Sequence, residues 1–165
     1  MIKTRGFTLA ELLVYAAIMG FVLIFVIGGM ISLNHSVIAS RASRDVNISA
    51  ATALERMVRE LKDADSVLET GSTLGVSPGV LTIATDNAST TGGTMKFSLS
   101  GGQVMLTTNS TSSLSASNVS VSRLVFYLAT STHSLAVRIE MTVSGTSTLG
   151  RNFYDTAVLR GSYVQ

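Results

Sequence analysis

The chain has 165 residues, 46% hydrophobic and 13% charged, against about 25% charged in ordinary soluble domains. It contains no Cys, no Trp, one Pro and two His, which excludes a disulfide framework, thiol catalysis and a Cys- or His-rich metal site. The net charge is +2 and the pI about 9.2, and so apolar a composition also excludes a disordered chain.

The charges are unevenly placed. Lys3 and Arg5 precede a run from Leu12 to Leu33 that has no charged residue and consists almost wholly of Leu, Val, Ile, Ala, Phe, Met and Gly. A helix of that length spans roughly 33 Å, close to the ~30 Å hydrocarbon core of a bilayer. The run is too long for the apolar core of a cleaved secretory signal, and the small-residue site around Ser40-Arg41-Ala42 lies well past its end. A membrane-spanning helix is predicted, with the N-terminus cytoplasmic because Lys3 and Arg5 flank it there. Arg41 and Arg44, offset by Asp45, run mildly against that orientation.

No Pro interrupts the chain from Phe7 to Leu68. Val46, Ala50, Leu54, Met57, Leu61, Ala64 and Leu68 recur at steps of four and three and predict that the helix continues as an amphipathic one. Glu55–Arg59, Arg56–Glu60 and Arg59–Asp63 are i,i+4 pairs of opposite charge placed on its wet side. Gly71, Gly75 and Pro78-Gly79 end the helical pattern.

The rest is read as β structure. Strands are predicted at Val80–Thr85, at Met95–Leu99 and at Val104–Leu106 after a Gly101-Gly102 turn. Further strands are predicted at Leu124–Ala129, at Val137–Val143 and at Phe153–Arg160. Their alternation gives an antiparallel sheet with one face covered by the amphipathic helix. Thr107 to Asn118, rich in Ser, Thr and Asn, reads as a loop. The fold class expected is α+β.

The residues ahead of the membrane run carry the functional signal. Glu11 stands at the edge of that run, where a carboxylate is costly: about 2.5–3.5 kcal/mol at a helix centre on insertion scales. Such a residue implies a partner. Gly6-Phe7-Thr8-Leu9-Ala10-Glu11, after a short basic leader and before a membrane helix, resembles the processing site of type IV prepilins and of the pseudopilins of type II secretion. The resemblance implies cleavage between Gly6 and Phe7 by a membrane prepilin peptidase and N-methylation of Phe7. It implies assembly into a filament in which Glu11 pairs with the new amino terminus of a neighbouring subunit. A neutral competing role for Glu11 is stabilisation of its own helix N-terminus, worth ~0.3–1 kcal/mol. Ala16, Gly20 and Gly28 stand in small-x3-small spacings that permit close helix packing. Where major pilins of the family often carry Pro, this chain has Gly28, so their mid-helix kink is not expected.

Ala53 to Leu61, Leu124 to Tyr127 and Tyr154 to Arg160 are similar to segments of minor pilins and J-type minor pseudopilins. The C-terminal Cys pair of many type IV pilins is missing, and Asp86, Glu140 and Asp155 are too scattered for the calcium site of major pseudopilins. The organisation expected is a leader at 1–6, a membrane and filament-core helix at 7–36, and an extracytoplasmic domain at 37–165. The expected role is a structural subunit, a minor one, of a type IV pilus or secretion pseudopilus. The expected partners are prepilin peptidase, other pilin or pseudopilin subunits, the inner-membrane assembly platform and membrane lipid. No catalysis and no cofactor or metal are expected. Nucleic acid is not an expected partner: apart from Lys3 and Arg5, ten basic residues balance ten acidic ones. The alternatives are a membrane-anchored binding module or adhesin that does not polymerise, and a DNA-uptake pseudopilus component. His35 and His133 are isolated, and of the five Asn-x-Ser/Thr sequons, at Asn34, Asn47, Asn87, Asn109 and Asn118, several are expected by chance in a chain so rich in Ser and Thr.

Overall fold

A computed structural model describes residues 8–86, 93–132, 134–145 and 149–160. Gly6 and Phe7, the expected cleavage and methylation positions, lie outside the described residues, as do His133 and Asn87. The fold is α+β. One helix, α1 (Leu9–Lys62), is followed by eight strands: β1 (Ser66–Thr73), β2 (Val80–Ala84), β3 (Thr94–Ser100), β4 (Gln103–Thr107), β5 (Thr111–Ser113), β6 (Val119–Thr130), β7 (Leu135–Gly145) and β8 (Arg151–Val158). The chain divides into two compact units, Met1–Ser40 and Arg41–Gln165.

In the first unit α1 is exposed on every side. Large apolar residues from Leu9 to Ile38 all face outward, and the most apolar 18-residue stretch has a mean hydropathy of 2.6 with none of it buried. This is the one helix among the described residues long and apolar enough to cross a membrane.

In the second unit the same helix is amphipathic, as its four-and-three spacing predicts. Val46, Ala50, Ala53, Leu54, Met57 and Leu61 are buried. They pack into one core with Leu81, Ile83, Phe97, Val104 and Leu106 and with Leu124, Phe126, Val137, Ile139 and Met141. Those two sets belong to two antiparallel sheets. The first is a five-stranded meander in the order β1-β2-β3-β4-β5, and the second has the order β6-β7-β8. Strict alternation accounts for β7, where Val137, Ile139, Met141 and Val143 are buried while Arg138 is exposed. It also accounts for the β3–β4 hairpin, where Gly101 (φ +58°) and Gly102 (φ +73°) take the left-handed conformation that a two-residue turn requires.

Three expectations are corrected. First, the helix stops at Lys62 rather than continuing to Leu68. The Ala64 amide closes the last turn onto Leu61 O, and the Asp65 amide donates to Ala84 O at 2.9 Å, which hands the chain to the sheet. Leu68 lies in β1 opposite Thr82. The four-and-three spacing runs on past the true end because Leu61 and Ala64 fill the core from the last turn. The Ser/Thr-rich chain beyond gains more from a ladder than from extending a helix. Second, Thr111–Ser113 within the expected loop forms β5, paired with Met105, Leu106 and Thr107. Third, Glu60 is on the buried side of α1, its side chain only 8% exposed, and Arg56 meets it at 2.7 Å. Glu55 and Arg59 pair in the open at 2.9 Å, and the Arg59–Asp63 pair does not form.

The β1–β2 connection seals one side of β6. The Gly75 amide donates to Phe126 O and the Gly79 amide to Leu124 O, both at 2.8 Å, while Leu124 N–H donates to Ser77 Oγ. A Cβ at Gly79 would stand 2.9 Å from Leu124 O and 3.1 Å from the Phe126 ring, so this backbone approach requires glycine.

Candidate assembly surface of the long helix

The start of α1 is built by the motif itself. Thr8 precedes the first helical residue, and its Oγ1 accepts a hydrogen bond from the Glu11 amide at 3.3 Å. Its carbonyl accepts from the Leu12 amide. Thr8 is thus the N-cap and Glu11 the third helical residue, the spacing of a Ser/Thr-x-x-Glu capping box. A Thr cap stabilises a helix start by about 1 kcal/mol. The carboxylate of Glu11 meanwhile sits in the first turn, where the helix dipole favours it. The neutral role considered for Glu11 is therefore present in the geometry. Glu11 is exposed and makes no ion pair with any described residue. Thr8 is a site residue that the sequence reading passed over, although its capping-box spacing was visible.

Ala16, Gly20 and Gly28 all lie on the exposed part of α1. A Cβ built at Gly20, Gly28 or Gly29 meets nothing within 4 Å. Each glycine in a helix interior costs about 1 kcal/mol relative to Ala. No packing among the described residues of the chain offsets that cost.

The domain half of α1 carries a second surface. The β5–β6 connection is pinned to it by two bonds: the Ala116 amide donates to the buried Ser49 hydroxyl at 3.0 Å, and the Asn118 amide group donates to Asp45 Oδ2 at 2.8 Å. Beside these bonds is an open notch of about 250 Å³ lined by Ile48, Thr52, Leu114 and Ala116, with Asp45 and Asn118 on its rim. On the far side of α1, Arg151 donates to Asn47 Oδ1 at 3.3 Å. Two sequon asparagines, Asn47 and Asn118, are thus occupied in tertiary contacts.

The outward face of the three-stranded sheet gathers charges that are far apart in sequence. Glu140 meets Arg138 at 2.6 Å and Arg123 at 3.4 Å, and the Arg138 guanidinium lies 5.9 Å from the Tyr154 ring centroid. Asp155 bonds the neighbouring Thr156 amide, and Asp86 donates its amide to Asp65. Among the described residues no group of three or more His, Asp or Glu converges as a metal site would require.

Comparison with known proteins yields no match to a family model, to a curated protein or to a solved structure.

Proposed function

We propose that this chain is a structural, non-enzymatic subunit of a type IV pilus or a type II secretion pseudopilus, a minor one, anchored in the inner membrane by the first half of α1. Its N-terminus is cytoplasmic and its β domain extracytoplasmic. Prepilin peptidase cuts between Gly6 and Phe7 and methylates Phe7. The freed helix then joins other subunits on the assembly platform, with Glu11 pairing with a neighbour's amino terminus. No cofactor takes part.

The observation that carries this reading is the exposed apolar surface of α1 from Leu9 to Ile38, which begins at a capped Thr8–Glu11 turn. Lipid covers such a surface before assembly and neighbouring helices cover it afterwards. The unpacked glycines at 20, 28 and 29 support the same reading, because close helix approach is a use for them that the single chain does not provide. Removal of Lys3 and Arg5 with the leader leaves ten basic and ten acidic side chains, so the mature chain has no cationic surplus. Mass spectrometry of the mature N-terminus tests the reading: a chain starting at methylated Phe7 supports it, and an intact Met1 or a cut elsewhere overturns it.

A further inference from the structure

β6 carries a bulge. Val121 pairs with Val143 and Arg123 with Thr142, so Ser122 is one residue more than β7 has to match. In an unbroken ladder Arg123 would stand opposite Met141, which is buried in the core. The bulge puts it opposite Thr142 instead, on the outward face of the sheet, in the row Arg123–Thr142–Asn152. At the next outward position of β7 is Glu140, in register with Tyr154, and beyond it Arg138. Bulges re-aim side chains in this way beside functional sites.

These residues line an open cleft of about 230 Å³. Arg138 meets one oxygen of Glu140 at 2.6 Å and Arg123 meets the other at 3.4 Å. One carboxylate thus serves two guanidiniums, and one positive charge is in excess. Asp155 does not balance it: it is in register with Ile139, out of phase with Tyr154, and takes the Thr156 amide. Arg123 is half in solvent and makes only the longer contact, which leaves most of its N–H fork open. Thr142 Oγ1 donates to Asn152 Oδ1 at 2.8 Å, which leaves the Asn152 NH2 group a donor without a partner among the described residues. Tyr154, 73% exposed, adds an open aromatic ring.

We propose that this cleft binds an acidic sugar, a uronic or sialic acid unit of a glycan. The Arg123 fork takes the sugar carboxylate. The Asn152 amide donates to a ring hydroxyl, Glu140 accepts from another, and the Tyr154 ring packs against the C–H face of the sugar. An excess of one positive charge matches a monoanion. A phosphate, at about −1.5 to −2 near neutral pH, brings more negative charge than that beside Glu140. An acidic side chain of a peptide carries no hydroxyls for Glu140 and Asn152. The cleft is smaller than the ~300–1,000 Å³ of drug-sized pockets and suits a single sugar ring. All of these residues belong to the β domain, so the site does not depend on the filament reading.

The full-length chain in nanodiscs is titrated by calorimetry with trigalacturonate, with sialyllactose, with the methyl ester of each, with a Glu-rich peptide and with inorganic phosphate. At least one of the two acidic sugars is expected to bind, its methyl ester about tenfold or more weaker, and its affinity to fall with added salt. Arg123→Gln is expected to lose about tenfold in affinity with thermal unfolding unchanged, because an exposed pair contributes little to stability. Arg59→Gln removes the same charge from an exposed pair on α1 and is expected to bind as the parent does. Tyr154→Phe is expected to keep binding and Tyr154→Ala to weaken it several-fold. The proposal is overturned if neither sugar binds, if acid and ester bind equally, or if the peptide or phosphate binds more tightly than the sugars. Equal losses in Arg123→Gln and Arg59→Gln, or full affinity in Tyr154→Ala, overturn it as well.

Discussion

The Nη2 of Arg56 lies 2.7 Å from Oε1 of Glu60, and the two ends of this bridge are in different surroundings: the Glu60 side chain is 8% exposed and that of Arg56 is 47% exposed. The carboxylate is withdrawn from water, while the guanidinium that meets it is half in solvent. Breaking such a pair from the cationic side strands a charge; neutralising the carboxylate does not. Arg56→Ala is expected to destabilise the full-length chain in detergent by about 1–2 kcal/mol, below the 3–5 typical of a fully buried pair because half of Arg56 is wet. Glu60→Gln is expected to cost less. Thermal unfolding followed by circular dichroism checks the order, which fails if the Gln variant is the weaker of the two.

Ser49 is the link between α1 and the β5–β6 connection. Its hydroxyl is buried and accepts the Ala116 amide. Ser49→Ala leaves that amide unpaired, a loss of about 1–3 kcal/mol. Ser49→Thr keeps the acceptor. Hydrogen exchange at Ala116 is expected to accelerate in the Ala variant alone, and equal exchange in both would remove Ser49 from this role.

Gly79→Ala places a methyl group against Leu124 O at 2.9 Å, a contact with backbone that cannot rotate away. Either the β1–β2 connection lifts off β6 or β6 itself shifts, giving up the bonds to Leu124 and Phe126. The expected loss is about 1–3 kcal/mol. Gly75→Ala, where a Cβ meets nothing but φ is +76°, is expected to cost about 1 kcal/mol from backbone strain alone. A denaturant series that ranks Gly75→Ala as the worse variant would contradict the close approach at Gly79.

At the head of α1, Thr8→Val removes the hydroxyl that caps the Glu11 amide, and Thr8→Ser keeps it. The first turn is expected to fray in the Val variant, with a local loss of about 1 kcal/mol. Amide exchange over Leu9–Leu12 in micelles measures it. If Glu11→Gln blocks filament incorporation while exchange in this turn stays slow, the carboxylate acts between subunits. If exchange rises in parallel, its service to its own helix accounts for the defect.

Much of the fold was legible in local patterning. The uncharged run from Leu12 to Leu33 marked a helix with no buried side, because no arrangement within one small domain covers that much apolar surface. The four-and-three spacing from Val46 to Leu61 named the packed face, and the alternation in β3, β4, β6 and β7 placed those strands, because a period of 3.6 or 2 is written in neighbouring residues. The cap at Thr8 was equally readable, being set by residues three apart.

What local pattern leaves open is whatever depends on a distant partner. Leu68 continues a helical spacing, yet it is a strand residue because Thr82 is there to pair with it. Thr111–Ser113 has no apolar alternation and becomes a strand only against Met105–Thr107. Glu60 reads as a surface charge until the helix is rotated onto its sheets, when its place next to the core and its dependence on Arg56 appear. By itself the sequence determined the elements with their own period, the apolar helix and its capped start. Tertiary structure decided where α1 ends, how the β region divides into two sheets, and which charges are withdrawn from water, because hydrogen-bond ladders and burial are settled between segments that the chain brings together only on folding.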